Sequence, residues 1–143
     1  MQNRILKSIM VLVCITGLSA AVSGQSIHLF EIEIPFEFVI NDRTLPAGRY
    51  AVERIDSGKP NVLMIKNTAY GTTRIILVQR VEKETPSEAS YLIFSRRAGK
   101  AYLFQVWTIG NNSGNQIPQR DGNKLLDQPA KSSSLVRVRA ENP

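Results

Sequence analysis

Three glutamates near the start of the chain are the first candidates for chemistry. Glu31, Glu33 and Glu37 occupy odd positions of one alternating stretch, so they project from the same face of a predicted strand. Glu31 and Glu33 lie two residues apart, about 6.5–7 Å along a strand, a separation that a glycosidase carboxylate pair tolerates. Carboxylates in such a row are more often the solvated face of the strand. We expect that here and keep a carboxylate-dependent glycan hydrolase as the alternative.

Other catalytic sites have less support. His28 is the only histidine, so a Ser-His-Asp site would have to use it, and it lies beside the expected mature N-terminus, where chains are commonly frayed. A metal site has still less support, because the sequence offers one histidine and no aspartate-rich loop of calcium-site spacing. Residues 110–114 (GNNSG) lack the Lys-Ser/Thr ending and the following helix of a phosphate loop. The sequence therefore predicts a non-enzymatic protein with no cofactor and no metal.

A set of binding residues lies at the two ends of a hairpin expected at residues 91–109. A basic turn at one end suits an anionic envelope polymer, although a solvated turn is the commoner case. At the other end an indole precedes an asparagine-rich loop. The candidate binding residues are Arg96, Arg97, Lys100, Trp107, Asn111 and Asn112.

Whether the Trp107 indole is exposed determines whether the second end of the hairpin can bind a ligand by stacking. Trp107 would be exposed in a single-sided sheet and could then stack on a sugar ring or a partner. In a sandwich the second layer would bury it, and burial is the favoured outcome. Nucleic-acid binding needs a basic stripe with exposed stacking aromatics. The aromatic residues here alternate inside a strand, so we expect no nucleic-acid partner.

The first 24 residues read as a targeting signal. Arg4 and Lys7 form a positive n-region, residues 9–18 an apolar region, and residues 19–24 a run of small residues suited to cleavage after Gly24. The apolar run is shorter than the roughly 20 residues that span a bilayer. We therefore expect a cleaved signal peptide, no transmembrane segment in the mature chain, and a periplasmic or extracellular location.

Cleavage would leave one domain without cysteine. Residues 25–128 are predicted to form a β-sandwich domain, and residues 129–143 a spacer with a possible last edge strand. Cys14, the only cysteine, falls in the signal, so the mature chain can form no disulfide. Two of the 18 basic residues precede residue 25, which leaves 16 basic and 12 acidic residues, a net charge of +4. A mild excess of this kind is commonly a matter of solubility.

Strand patterns run through the mature chain. Residues 32–40 alternate between apolar and polar positions, with Pro35 marking an edge or a bend. Turn residues at 41–42 and 45–48 follow, and alternation resumes at Tyr50. Residues 62–66 form a short strand. Residues 73–79 carry four consecutive apolar residues, 75–78, which indicates a central strand covered on both faces.

The second half is predicted in the same way. We expect a loop at 80–90, a hairpin from strands 91–95 and 101–109, a loop at 110–115, a helical turn around Leu125 and Leu126, and a late edge strand at 135–139. In the second hairpin strand, Tyr102, Phe104 and Val106 should share one face. Short strands at regular spacing indicate a single antiparallel β-sandwich or small barrel of about seven or eight strands.

Three segments carry a resemblance. PFEFV at 35–39, LPAGRYAV at 45–52 and YLFQVWTIGN at 102–111 resemble signatures of a family of small exported bacterial proteins of unassigned function. The resemblance implies export and a compact β fold, and it carries over no catalytic residue. The 45–52 segment is also similar to the turn and strand of transthyretin-like and carboxypeptidase-regulatory-like β-sandwich modules, which implies architecture only.

These patterns together predict an exported, non-enzymatic β-sandwich of the cell envelope with a binding or structural role. Its ligand and oligomeric state stay open, and its partner is an envelope polymer or another envelope protein. The two alternatives are the glycan hydrolase and electrostatic adhesion to anionic envelope polymers through Arg96, Arg97 and Lys100.

Overall fold

The structure is a computed structural model that describes residues 26–55, 58, 61–121, 124–126 and 134–141. Within these ranges every regular element is a strand, which confirms the all-β prediction. The expected signal peptide lies outside the described residues. The strands are β1 (Ser26–Ile34), β2 (Phe38–Ile40), β3 (Arg43–Leu45), β4 (Gly48–Ile55), β5 (Val62–Asn67), β6 (Thr73–Leu77), β7 (Gln79–Glu82), β8 (Tyr91–Arg97), β9 (Lys100–Trp107), β10 (Ser113–Gln116), β11 (Gln119–Asp121), β12 (Lys124–Leu126) and β13 (Ser134–Arg139).

Two sheets form a β-sandwich, as predicted. The first sheet has the order β1-β4-β5-β6, and the second has the order β13-β8-β9-β10-β7. The second sheet also contains β2, which runs parallel to β9, and β3, which pairs with β2. The chain passes from the first sheet to the second between β6 and β7, at the buried Val78. The described strands outnumber the seven or eight expected because several consist of only three or four residues, too short for a periodic signal.

The core lies between the two sheets and takes side chains from both. Its aromatic centre contains Phe38, which meets Tyr50 and Phe94 edge to face at centroid distances of 5.1 and 5.5 Å. Such contacts add to the free energy of burying the rings themselves. The aliphatic part of the core includes Ile32, Ile34, Val52, Leu63, Ile65, Ile76, Leu92, Leu103 and Val106.

The opening stretch folds as its pattern predicts. β1 buries Ile32 and Ile34 and exposes the glutamates between and before them. The strand ends before Pro35, and β2 begins three residues later in the other sheet, so Pro35 lies at a bend between two strands. Beyond β3, the Tyr50 hydroxyl donates a hydrogen bond to the Pro46 carbonyl oxygen at 2.7 Å. This bond ties the turn at 45–48 to the core.

The prediction of a buried central strand at residues 73–79 is wrong. β6 is the last strand of the first sheet, and its side chains alternate between the core and solvent. Ile76 is fully buried, whereas Ile75 and Leu77 are 61% and 67% exposed. A run of apolar residues fits a strand covered on both faces, but it cannot reveal where that strand lies in the sheet order.

Three segments predicted as loop or helix contain strands. β7 occupies the start of the expected loop at 80–90, and β10 occupies the end of the expected loop at 110–115, because these two segments pair with each other. The helical turn expected around residues 125 and 126 is wrong, since β12 pairs there with β11. Each segment gains its strand hydrogen bonds from a distant or weakly patterned partner. The late edge strand is confirmed as β13, which pairs with β8 at the sheet edge.

A β-bulge changes which residues of β9 share a face. The pairing shifts between Ile93 and Phe94, which lie opposite Gln105 and Leu103, so Phe104 has no partner in β8. The extra residue reverses the alternation. Leu103 and Val106 therefore both enter the core, and the expected common face of Tyr102, Phe104 and Val106 is not formed.

Candidate functional site

The six predicted binding residues do not form one site. Arg96, Arg97 and Lys100 flank the β8–β9 turn, whereas Trp107, Asn111 and Asn112 lie at the far end of β9. An eight-residue strand is about 23 Å long. The turn is tight because Ala98 and Gly99 both have positive φ, 48° and 75°, as a two-residue hairpin turn requires.

Trp107 is buried, as the sequence favoured, although not by the second layer that was expected to cover it. Val106 enters the core between the sheets, whereas Trp107 lies outside that core cluster. It is 5% exposed, stacks on Tyr91 at a centroid distance of 6.2 Å, and donates from Nε1 to Oε1 of Gln105 at 3.0 Å. The ring also lies against the backbone of Gly114, where an added Cβ would come within 2.6 Å of Cδ2. Lys83 Nζ sits 4.9 Å from the ring centroid. This indole packs between neighbours and offers no open stacking face.

The asparagine-rich loop connects to the loop after β7 through its backbone. Asn112 O accepts a hydrogen bond from Lys83 N, and Asn111 O accepts one from Ser87 N, both at 2.9 Å. The side chains of both asparagines are exposed. The backbone carbonyl groups of Asn111 and Asn112 therefore link the two loops, and their side-chain amides remain in solvent.

The basic turn divides between two clefts. The Arg96 guanidinium lies 4.8 Å from the Phe36 ring centroid, and the Arg97 guanidinium lies 4.3 Å from that of Tyr102. Successive residues of a strand point to opposite faces, so the two arginines separate. Arg96 and Lys100 line a small cleft of about 240 Å³, which we call the Arg96 cleft, and Arg97 lines another.

The three glutamates also divide. Glu31 and Glu33 line a cleft of about 570 Å³, the glutamate cleft, beside His28 and Arg49. Glu33 Oε2 lies 3.7 Å from Nε of Arg49, and both side chains are largely exposed. Glu37 lines the Arg96 cleft instead. The bend at Pro35 sends it there, so the expectation of one acidic face holds for Glu31 and Glu33 and fails for Glu37.

The cleft that Arg97 lines was not expected from the sequence. Exposed Ile75 and Leu77 of β6 form one wall of a cleft of about 410 Å³, which we call the edge-strand cleft. The remaining apolar lining comes from the second sheet and the segment after β10. These residues are Val39, Ile40, Tyr102, Leu103, Ile117 and Pro118.

The edge-strand cleft was missed because its two walls come from different sheets. The apolar run at 75–78 fits burial on both faces, and only the order of the strands reveals that one face is open. The β2–β3 turn, with positive φ at Asn41 and Asp42, places polar groups at the rim of the cleft. Its Asn-Asp pair was the local signal available in the sequence.

The buried end of β4 holds a titratable phenol. Burial raises the pKa of Tyr50, and a smaller opposing contribution comes from a hydrogen bond with the Asn67 side chain. Asn67 is buried opposite Tyr50 in β5, and its Oδ1 accepts hydrogen bonds from two backbone N–H groups of the following turn, those of Ala69 and Tyr70. Tyr50 and Asn67 therefore have a structural role at this end of the first sheet.

The described residues contain neither a metal-binding cluster nor a membrane-spanning helix. No group of three or more His, Cys, Asp or Glu side chains in that part of the chain is arranged to hold a metal ion. No helix there has the length and apolarity to cross a membrane.

Comparison with known proteins identifies no relative. The chain matches no protein-family model, no curated protein and no solved structure. The resemblance of residues 35–39, 45–52 and 102–111 to the exported bacterial family stays a prediction from those segments.

Proposed function

We propose that this chain is an exported, non-enzymatic binding protein of the cell envelope that captures an extended segment of a partner protein beside β6. The observation that carries the proposal is the exposure of Ile75 and Leu77 on an edge strand, where both line one cleft. Large apolar side chains that stay in water along a strand edge are typical of an interaction surface. Export is inferred from the pattern of residues 1–24.

The backbone of β6 favours a peptide as the ligand. β6 pairs with β5 along one edge, and no described strand pairs with its other edge. A free edge presents N–H and C=O groups at strand spacing, and an extended peptide satisfies them by adding a strand. β6 has five residues, so we expect the bound segment to be about as long, five to six residues.

The side chains of the cleft favour an alternating ligand. Successive side chains of a bound strand would point to opposite sides, and those on one side would enter the edge-strand cleft. The far wall contains the apolar residues Val39, Tyr102 and Ile117 beside the polar Arg97 and Gln119. We therefore expect apolar residues at every second position of the bound segment, because only these would be buried against that wall.

Selection of peptides on the mature protein, residues 25–143, tests the proposal. A library of random decapeptides displayed on phage is the probe, and fluorescence anisotropy gives the affinity of each enriched peptide. We expect alternating apolar residues in the enriched peptides. Changing Ile75→Asn and Leu77→Asn together should weaken their binding at least about tenfold, since two buried aliphatic contacts are lost.

Ile109→Asn is the matched control, because Ile109 is 50% exposed and lines the glutamate cleft. The affinity of this variant for the enriched peptides should stay within about twofold of wild type, as expected for a surface change away from the site. Thermal unfolding checks that all variants fold. The proposal is refuted if the double variant binds the enriched peptides as tightly as the control, or if no alternating peptide is enriched.

A second candidate function is glycan hydrolysis, because Glu31 and Glu33 share the largest of these clefts. The candidate now rests on two carboxylates, with Glu37 serving as an internal control. The double variant Glu31→Gln, Glu33→Gln should lose any cleavage of peptidoglycan by the mature protein, measured as release of reducing ends. Glu37→Gln should leave this cleavage intact. Retention of cleavage in the double variant would eliminate this candidate.

A further inference from the structure

The Arg96 cleft carries a binding site of a different kind. Its lining contains two cations, Arg96 and Lys100, one carboxylate, Glu37, and the ring of Phe36. Among the described residues, no carboxylate oxygen lies within 4.0 Å of either cation, since the ion pairs there are Arg49–Glu33 and Arg80–Glu82. Two cations and one carboxylate that is not ion-paired with them leave this concave site with a net positive charge, which attracts anions.

Arg96 is held in an orientation suited to an oxyanion. Its guanidinium lies over the Phe36 ring at 4.8 Å, and Phe36 is itself half-buried and packs edge to face on Phe94 at 5.1 Å. A guanidinium that stacks on a ring keeps its N–H groups free for two parallel hydrogen bonds with an oxyanion. The ring therefore fixes the donor before the ligand arrives, which lowers the entropic cost of binding.

The second cation lies at the hairpin turn. Arg96 pairs with Ala101, and Arg97 with Lys100, across the turn at Ala98 and Gly99. Lys100 therefore shares its strand face with Arg97, and it reaches the Arg96 cleft from the turn, next to Ala101, which lines the same cleft. Lysine adds a compact charge with rotatable donors to the planar fork of arginine, and the combination of the two is typical of phosphate sites.

We propose that the Arg96 cleft binds a phosphate group, with Arg96 as the bidentate donor and Lys100 as the second cation. Arg97 is not part of the site, because it lies over Tyr102 in the edge-strand cleft. Glu37 limits the affinity by repulsion across the same cleft. The site is independent of the edge-strand cleft, so either proposal can fail without the other.

The test uses the mature protein and three probes. Polyphosphate and phosphatidylglycerol vesicles both present phosphate groups, one in a soluble polymer and one on a lipid surface, and polygalacturonate presents carboxylates. Titration at about 20 mM and about 150 mM salt gives the affinity, which should fall with salt. We expect binding to at least one phosphate probe, and the stronger of the two identifies the source of the phosphate.

Variants separate this cleft from general attraction to a basic protein. Arg96→Gln and Lys100→Gln should each weaken binding about tenfold, the loss expected for a charge-assisted hydrogen bond. Arg139→Gln removes the same charge from exposed β13 and should change affinity less than about twofold. Arg96→Lys keeps the charge but loses the planar fork, so it should weaken binding as well. Glu37→Gln should strengthen it about threefold.

The Arg96 Nε–H resonance should also shift on addition of the stronger phosphate probe, which reports contact independently of affinity. Three results would overturn the proposal: equal losses in Arg139→Gln and Arg96→Gln, no binding of either phosphate probe at low salt, or polygalacturonate binding as tightly as the phosphate probes.

Discussion

At the scale of single residues, Trp107 and Gly114 make a close contact within the second sheet. The indole lies on the glycine backbone, leaving no room for a side chain. Burial of Trp107 was the favoured prediction, but its cause was not predicted, because Tyr91 and Gly114 of its own sheet cover the ring and it lies outside the core between the sheets. The contact with Gly114 could not be predicted either, since it depends on β10 pairing with β9.

Gly114→Ala should destabilise the fold by about 1–3 kcal/mol, because the added Cβ meets a rigid ring rather than a flexible chain end. Urea unfolding measures the loss. In the background of Trp107→Leu, the same glycine change should cost much less, because the ring that it meets is gone. Equal costs in the two backgrounds would show that the two residues are not coupled.

Tyr50 gives a pH dependence of stability with a defined sign. Burial raises the pKa of Tyr50 in the folded state above its usual value of 10.0, so the folded protein holds the phenol proton more tightly than the unfolded chain. This contribution to stability is fully present below pH 10 and is lost as the pH rises through the folded-state pKa.

Tyr50→Phe removes that titration together with the hydrogen bond to Pro46, which costs about 1 kcal/mol near neutral pH. Urea unfolding at pH 8 and at pH 11 is the measurement. The variant should be less stable than wild type at pH 8, and the difference should shrink at pH 11. Tyr70→Phe, at a residue 78% exposed, should follow wild type at both pH values. A difference that grows with pH would contradict the account.

At the scale of elements, the opening stretch agrees with its prediction, whereas β6 is a strand as predicted but lies at the edge of its sheet. The opening stretch follows from local information: alternation over β1, a proline that ends it, and a Pro-Gly turn before β4. The place of β6 follows from the sheet order, which depends on contacts between strands far apart in sequence. The pairing of β7 with β10 has the same origin, and so does the bulge at Phe104.

The alternation along β6 gives a sharp mutational contrast. Ile76→Ala should destabilise the protein by about 3 kcal/mol, because Ile76 is fully buried in the core. Ile75→Ala, one residue away, should change stability by less than about 0.5 kcal/mol, because most of that side chain remains in water. Urea unfolding compares the two variants. Similar losses at both positions would mean that β6 is covered on both faces, as the apolar run alone indicated.

At the scale of the whole molecule, the candidate site was less predictable than the fold. Residue types predicted a basic turn and one acidic face, but the strand alternation at Arg96 and Arg97 and the bend at Pro35 divide each of them between two clefts. These divisions depend on three-dimensional packing. The edge-strand cleft has walls in both sheets, so no contiguous segment of the chain encodes it.

The proposed location of the protein depends on its export. Expressed in a bacterial host, the full chain should be recovered outside the cytoplasm with Gln25 at its N-terminus, because residues 1–24 carry the charge and apolar pattern of a cleaved signal. Intact mass and N-terminal sequencing test this. Replacing Arg4 and Lys7 by glutamate should slow export. A recovered chain that retains residues 1–24 would contradict the signal-peptide prediction.

Amide hydrogen exchange of the mature protein, with and without the tightest selected decapeptide, tests the central claim most directly. Strand addition at the free edge of β6 predicts slower exchange at residues 73–77 when the peptide is bound, since new backbone hydrogen bonds form there. Exchange in β1, at the opposite edge of the same sheet, should not change. Protection confined to β1, or none in β6, would show that the partner does not bind where this account places it.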